Sequence, residues 1–347
     1  MGLLVSNKVA IDLESIAYRL PTYLVPSMNQ NSWAWYKLSK PLNYRVTGSV
    51  ALQHTLVWHN NGYKSYDFTR LDYENKGSFG GREKAGDKIN YQPVVFIHGS
   101  SDTALKTSIS NPGWDESISY FLDNGYSTAE LYATTWRDHN EEYATARTHD
   151  CDTVIKVRKF LEAVIAYTKA PKIDVITHAM GVTLGRKAIK GGQLTTPNRT
   201  CNLGAPLTNK VDTFVGISGA NYGWCNCEGW GEDLEKTCNR VNGFWPGNSC
   251  GPNKLDCGGI MLPCGTPKYS SFLEDLNSDP NREGTYVYSM YSTLDEVLLF
   301  GCKVWGRATP LIPGSTGEKV YSSHSHYGTK SKTAKDQYDM VVNHESS

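Results

Sequence analysis

The chain of 347 residues contains no run of about 18 apolar residues, the length a helix needs to cross a bilayer, so no membrane-spanning helix is expected. It carries no excess of either charge: Lys+Arg and Asp+Glu both number 35. That balance removes the electrostatic reason to expect nucleic acid or an anionic membrane as partner. No C-x-x-C pair occurs, the knuckle from which structural zinc sites are commonly built. Nor does the chain open on an export signal, because the apolar start of MGLLVSNKVAIDLESIAYR is interrupted at Asn7 and Lys8. What these absences leave is a soluble chain long enough for one large α/β domain, alone or with a small appendage.

Cysteine, by contrast, is plentiful. Six of the nine, Cys225, Cys227, Cys238, Cys250, Cys257 and Cys264, crowd a segment rich in Gly and Trp. Such a segment reads as a disulfide-stapled loop formed in an oxidising compartment. Zinc is the rival reading, opposed by the missing knuckles and by the lack of histidine in the segment. With nine cysteines, at least one stays unpaired or pairs outside the chain. Asn198-Arg199-Thr200 is a glycosylation sequon that agrees with export. Met1-Gly2-Leu3-Leu4-Val5-Ser6 formally matches a myristoylation pattern. A vector-derived Met-Gly before a trimmed mature chain explains the same residues and fits the cysteines better, so a secreted protein is expected.

The remaining chemistry gathers around Lys172–Gly192, KIDVITHAMGVTLGRKAIKGG. An apolar run from Ile173 to Thr177 turns through His178-Ala179-Met180-Gly181 into a helical pattern carrying Val182, Leu184, Ala188 and Ile189. Strand, tight turn and helix in that order make the setting of a nucleophile elbow, whose pattern is small-x-Ser-x-Gly. Here the nucleophile position carries Ala179. Alanine has no nucleophilic atom, and losing the serine of a triad costs about 10⁶ in turnover. Three readings fit: a deliberate Ser-to-Ala change, a natural pseudoenzyme, and an ordinary strand–turn–helix. The order of the other candidate residues favours the first.

Residues 1–80 are rich in aromatics, among them Trp33, Trp35, Tyr36, Trp58 and Phe68, and read as an N-terminal extension that packs against the main domain rather than as a substrate-gripping face. Lys76–Asn90 has the Gly and charge content of an exposed linker. The main domain is expected over 91–347. Its first strand ends in QPVVFIHGSSD, where the loop offers backbone N–H groups to an oxyanion. Ser100 is the candidate for one donor and Met180 for the other. Helix and strand patterns then alternate through Trp114–Asn124, Ala129–Trp136, Asp152–Lys169, the elbow and Val211–Ser218, which implies βαβ units and a mostly parallel sheet with chemistry at the carboxyl ends of its strands. Thr285–Thr293 is a further strand that ends just before Asp295, the candidate acid. Beyond it, Val320–Gly328 places two histidines on a loop before a C-terminal amphipathic helix. His326 is the candidate base and His324 the alternative, while His98 and His178 read as structural or oxyanion-side residues. Nucleophile, acid and base in that chain order match the α/β-hydrolase order.

IDVITHAMGVTLGRKAI, PVVFIHGSSD, ELYATTW, GAPLTNKVDTFVGISGANYG and YSMYSTLDE resemble the lipase class 2 family of secreted lipases, and also extracellular polyhydroxyalkanoate depolymerases that carry a lipase box. The resemblance spans roughly residues 92 to 342 and leaves the extension outside. It implies an α/β-hydrolase fold with a Cys/Trp-rich cap inserted over 221–281. It also implies the serine at Ala179, the acid at Asp295, the base at His326 and oxyanion donors at Ser100 and Met180. Thr177 departs from the small residue usual at the start of the box.

For a form with serine at 179, the implied reaction is two-step acyl transfer needing no metal or cofactor. Trp224, Trp230 and Trp245 in the insert are candidates to bind a hydrophobic ester, acylglycerol or aliphatic polyester, although the insert also reads as structural. A monomer is expected. The alternative is a binding module that keeps the cleft without cleaving its ligand.

Overall fold

Short apolar runs rich in β-branched residues make the strands, and the innermost are buried along their whole length, as a sheet covered on both faces requires. The computed structural model describes residues 62–84, 86–228, 234–247, 257 and 268–346. It contains a seven-stranded sheet built from β1 (Ser78–Phe79), β2 (Val94–Ile97), β3 (Leu131–Thr134), β4 (Ile173–His178), β5 (Val211–Ile217), β6 (Tyr286–Ser292) and β7 (Gly317–Tyr321). The spatial order is β1-β3-β2-β4-β5-β6-β7. Only the β1–β3 pairing is antiparallel.

Period-two alternation sorts the strand residues between two cores. Val95, Ile97, Ile173 and Val175 pack with residues of α2 (Cys151–Thr168) and α3 (Met180–Lys190). Val94, Phe96, Ile176 and Val215 pack on the other face with Ile118 and Phe121 of α1 (Asp115–Asp123) and with Met340. Further helices among the described residues are α4 (Ser271–Ser278), α5 (His326–Ser331) and α6 (Ala334–Val342). The fold is a doubly wound, mostly parallel sheet. Helix α2 starts at Asp150, whose Oδ1 accepts the Thr153 amide at 2.8 Å, a capping bond that satisfies one of the free first-turn donors.

The expected exposed linker over 76–90 is corrected over residues 77–82, while Glu83, Lys84, Gly86, Lys88 and Asn90 are exposed. Ser78 and Phe79 pair with Thr134 and Ala133 as an edge strand, and Arg82 donates its backbone N–H to the Tyr167 hydroxyl at 3.2 Å. The glycines read as flexibility instead permit contact: a Cβ on Gly80 would fall 1.8 Å from the Leu131 carbonyl oxygen. The preceding residues are also fastened down. Phe68 lies in the core with its ring 5.1 Å from that of Phe160, and its carbonyl accepts from the Thr134 hydroxyl at 2.8 Å. Trp33, Trp35, Tyr36 and Trp58 lie outside the described residues.

Disulfides join Cys225 to Cys257 and Cys227 to Cys238 within the insert, as the cysteine crowding implies. A third, Cys151–Cys201, ties the start of α2 to a hairpin of Gln193–Thr195 and Thr200–Asn202 whose exposed turn carries Asn198. Closing its 50-residue separation restricts the unfolded chain, worth about 4 kcal/mol in the chain-entropy view. Cys302 is a buried free thiol, and Cys250 and Cys264 lie outside the described residues.

At the opposite end of β4 from the elbow, Asp174 is buried with Oδ1 accepting from Gln92 at 2.8 Å and from the Thr213 amide at 2.9 Å. Its Oδ2 has no partner among the described residues. Burial pushes its carboxyl up to about 7. The folded state therefore holds a proton that the unfolded state releases near the ordinary carboxylate value, so this group's contribution is fully present at low pH and is lost as pH rises toward 7. Asp174→Asn is expected to raise the melting temperature at pH 8 more than at pH 5, checked by thermal unfolding at both pH values.

Candidate active site

The sheet order brings the carboxyl ends of β2, β4, β6 and β7 to one edge, and each carries a residue singled out in the sequence: Ser100 after β2, Ala179 after β4, Asp295 after β6 and His326 after β7. Ala179 sits between β4 and α3 at φ 51°, ψ −125°. That is a conformation in which a non-glycine residue is strained and which persists only when its surroundings impose it. Its N–H is tied to the Ile217 carbonyl at 2.9 Å, and its own carbonyl takes the Val182 amide at 3.0 Å. Gly181 then lets α3 press against the end of β2: a Cβ there would fall 2.4 Å from the His98 carbonyl oxygen and 2.5 Å from that of Ile97. Thr177 fits this turn, its hydroxyl donating to the Val215 carbonyl at 2.9 Å.

His326 and Asp295 form a couple. The ring Nδ1 lies 2.8 Å from Asp295 Oδ2 and 3.0 Å from Oδ1. Asp295 Oδ1 also accepts the amides of Val297 and Leu298 at 3.0 and 2.9 Å. Burial raises the Asp295 carboxyl, but the His326 hydrogen bond and charge and the Leu298 amide outweigh it and hold it below the usual carboxylate range. An ionised acid needs Nδ1 to carry the proton, which leaves Nε2 as the basic nitrogen. The loop position expected for His326 is corrected: Ser325 caps a short helix by accepting the Gly328 amide at 3.0 Å, and His326 is the first residue of α5.

Ala179, His326, Ser100 and Met180 line one cavity of about 360 Å³. No protein acceptor takes the backbone N–H of Ser100 or of Met180 among the described residues. Met180 opens α3, where free amides and the helix dipole favour negative charge. The direction of the Ser100 N–H is set one residue earlier. The Trp136 amide donates to His98 Nε2 at 3.1 Å, so His98 Nδ1–H donates to the Gly99 carbonyl at 2.7 Å. Fixing that carbonyl fixes the opposed N–H of the same planar peptide. Burial lowers His98 to about 4. His178 is driven well below the imidazole range, first by burial and then by His326 and Lys330, and its Nε2–H donates to the His326 carbonyl at 3.2 Å. Both are neutral supports.

Of the three tryptophans, Trp224 lines the cavity and donates Nε1–H to the Val297 carbonyl at 2.6 Å. Trp245 is a correction: it is buried outside the cavity lining, with the Arg240 guanidinium 4.4 Å from its ring centroid. Trp230 lies outside the described residues. Phe244 and Thr237, also from the insert, reach the cavity. His324 does not line it, and its ring packs 4.9 Å from that of Tyr321.

Several contributors carry no local sequence signal. Glu296 accepts the His326 amide at 2.8 Å. Arg147, buried and paired with Asp138, donates to the hydroxyls of Ser100 at 3.1 Å and Ser101 at 2.5 Å. Asp102 and Lys330 form a buried ion pair behind the same loop.

A parallel sheet with a strained elbow facing a histidine–carboxylate couple at its carboxyl edge defines an α/β hydrolase. Within that class the chain belongs to the lipase class 2 family, whose model matches residues 91–339, and so to a family of lipase and esterase type. Among solved structures, lipase B of Aspergillus fumigatus aligns at a TM-score of 0.43 and 13% identity over 73% of this chain and 52% of that one. The chain thus spans about half the length of that lipase. The monoacylglycerol lipase of Paleococcus ferrophilus aligns at 0.43 and 15% identity over 78% and 98% of the two chains. The esterase Pf2001 of Pyrococcus furiosus aligns at 0.41 and 11% over 72% and 80%. No curated protein is significantly similar in sequence.

If the Gly181 approach holds the elbow, Gly181→Ala is expected to destabilise the protein by about 2–3 kcal/mol, read from the midpoint of urea unfolding.

Proposed function

We propose that this chain is the Ala179 form of a serine carboxylic-ester hydrolase acting on hydrophobic esters, acylglycerols or aliphatic polyesters. The observation that carries the reading is the His326–Asp295 couple opening onto the same cavity as the strained residue 179. With serine at 179, His326 Nε2 takes the hydroxyl proton, the oxygen attacks the ester carbonyl, and the N–H groups of Ser100 and Met180 receive the oxyanion. His326 then returns the proton to the leaving alcohol, and water attacks the acyl-enzyme by the same route to release the acid. Asp295 holds the imidazole tautomer and stabilises the imidazolium.

The hydrophobic substrate class is supported by Trp224, Phe244, Val297 and Leu298 in the lining. Three disulfides and the lack of any helix long and apolar enough to cross a membrane, among the described residues, support a secreted protein, and we read it as a monomer. The second reading, a pseudoenzyme that binds lipid or polymer, is favoured by Ala179 itself.

Ala179→Ser is expected to give hydrolysis of p-nitrophenyl butyrate, and of emulsified triglyceride or polyhydroxybutyrate, where the Ala179 chain shows none. Adding His326→Asn should remove at least about 10⁴ of that rate. Silence of a folded Ala179→Ser protein on all three substrates would establish the pseudoenzyme reading instead.

A further inference from the structure

We infer that Lys330 and Asp102 form a positioning pair that locks the helix bearing His326 onto the loop bearing Ser100, an inference that rests on the ester-hydrolase reading above. Lys330 lies one helical turn after His326 on α5, and Asp102 lies two residues after Ser100. Their ion pair joins residues 228 positions apart in sequence. It is therefore a direct side-chain tie between the segment that supplies the base and the segment that supplies an oxyanion donor.

Both side chains are withdrawn from water, 1% and 0% exposed. A pair so buried adds little stability over well-packed apolar residues of the same volume, because desolvating two charges offsets most of their attraction. Its value here lies in placement. Asp102 Oδ1 accepts the Gly113 amide at 3.1 Å, so the carboxylate ties the loop to the chain that enters α1, while the Asp102 backbone amide closes the turn around Ser100 toward the Gly99 carbonyl at 3.4 Å. The Lys330 ammonium lies 4.9 Å from the Trp114 ring centroid, and its carbonyl takes Gln337 Nε2–H at 2.7 Å. Burial raises the Asp102 carboxyl, but the Lys330 cation, with His98 and the Thr103 amide, outweighs it and holds the group below the usual carboxylate range. Neither residue lines the cavity. The pair acts through His326 and the Gly99–Ser100 peptide, whose mutual placement must hold to about 0.5 Å for productive chemistry.

The test uses Asp102→Asn/Lys330→Met, which retains an acceptor for the Gly113 amide and a stem of similar length against Trp114. In the Ala179→Ser background, kcat on p-nitrophenyl butyrate should fall about tenfold to a hundredfold, with KM changed less than about twofold. In the Ala179 chain itself, the downfield proton resonance expected for His326 Nδ1–H bonded to Asp295 should broaden or vanish in the variant. Should the double variant not melt cooperatively, Asp102→Asn alone carries the same two expectations. A cooperatively folded variant with unchanged kcat and an unchanged resonance overturns the inference and leaves the pair a structural ion pair. If Ala179→Ser is folded yet inactive, the hydrolase reading fails and the resonance alone decides: its loss supports the tie between α5 and the loop, and its persistence overturns it.

Discussion

Helix α3 starts almost in contact with the end of β2, and the lack of room at Gly181 sets the geometry of everything nearby. Because the helix cannot stand further off, the chain must reverse between His178 and Met180, and residue 179 takes a backbone conformation that it would not choose by itself. The strain survives although the side chain is a methyl. It is therefore imposed by the packing of strand and helix, and owes nothing to a nucleophile. The same approach places the Met180 amide next to the loop after β2, so one steric fact sets both the elbow and its spacing from the Ser100 amide.

Around that bend, charge is either paired or suppressed. Asp295 is ionised because a histidine and two amides meet it, and Asp102 because Lys330 does. His98 and His178, buried and hydrogen-bonded to carbonyls rather than to a carboxylate, are held neutral by burial and used as hydrogen-bonding struts. Among the buried histidines near the cavity, His326 has a carboxylate bonded to its ring, while His98, His149 and His178 bond carbonyls. A direct hydrogen bond to a carboxylate, rather than residue type, separates the candidate base from the supports.

Much of this was legible in the sequence because it is local. The apolar run and turn at Lys172–Gly192, the helix spacing of Val154, Val157, Leu161 and Val164, and the strand ending before Asp295 each write their periodicity into a short window. His326 and His324 could not be separated by periodicity. Ser325, capping a helix that begins at 326, turns the first into the cavity and leaves the second beside Tyr321. The glycines at 80 and 81 misled because the same residue permits flexibility and close contact, and only the partner strand tells which. Trp245 misled because aromatic content marks burial without saying whether the burial faces a cavity. The Lys330–Asp102 pair, the Arg147 clamp and the Cys151–Cys201 bridge join distant segments, and pairings of that range leave no pattern in a single chain.

The methyl at residue 179 changes what the cavity can report. On the proposed reading, a molecule that seats against the two free amides meets no nucleophilic atom at residue 179, so it leaves in the form in which it arrived. Occupancy is then governed by arrival and departure alone, with no irreversible step to drain it. On that reading, a chain in this state is a probe of recognition divorced from turnover, and of how long a guest dwells against Trp224 and Phe244.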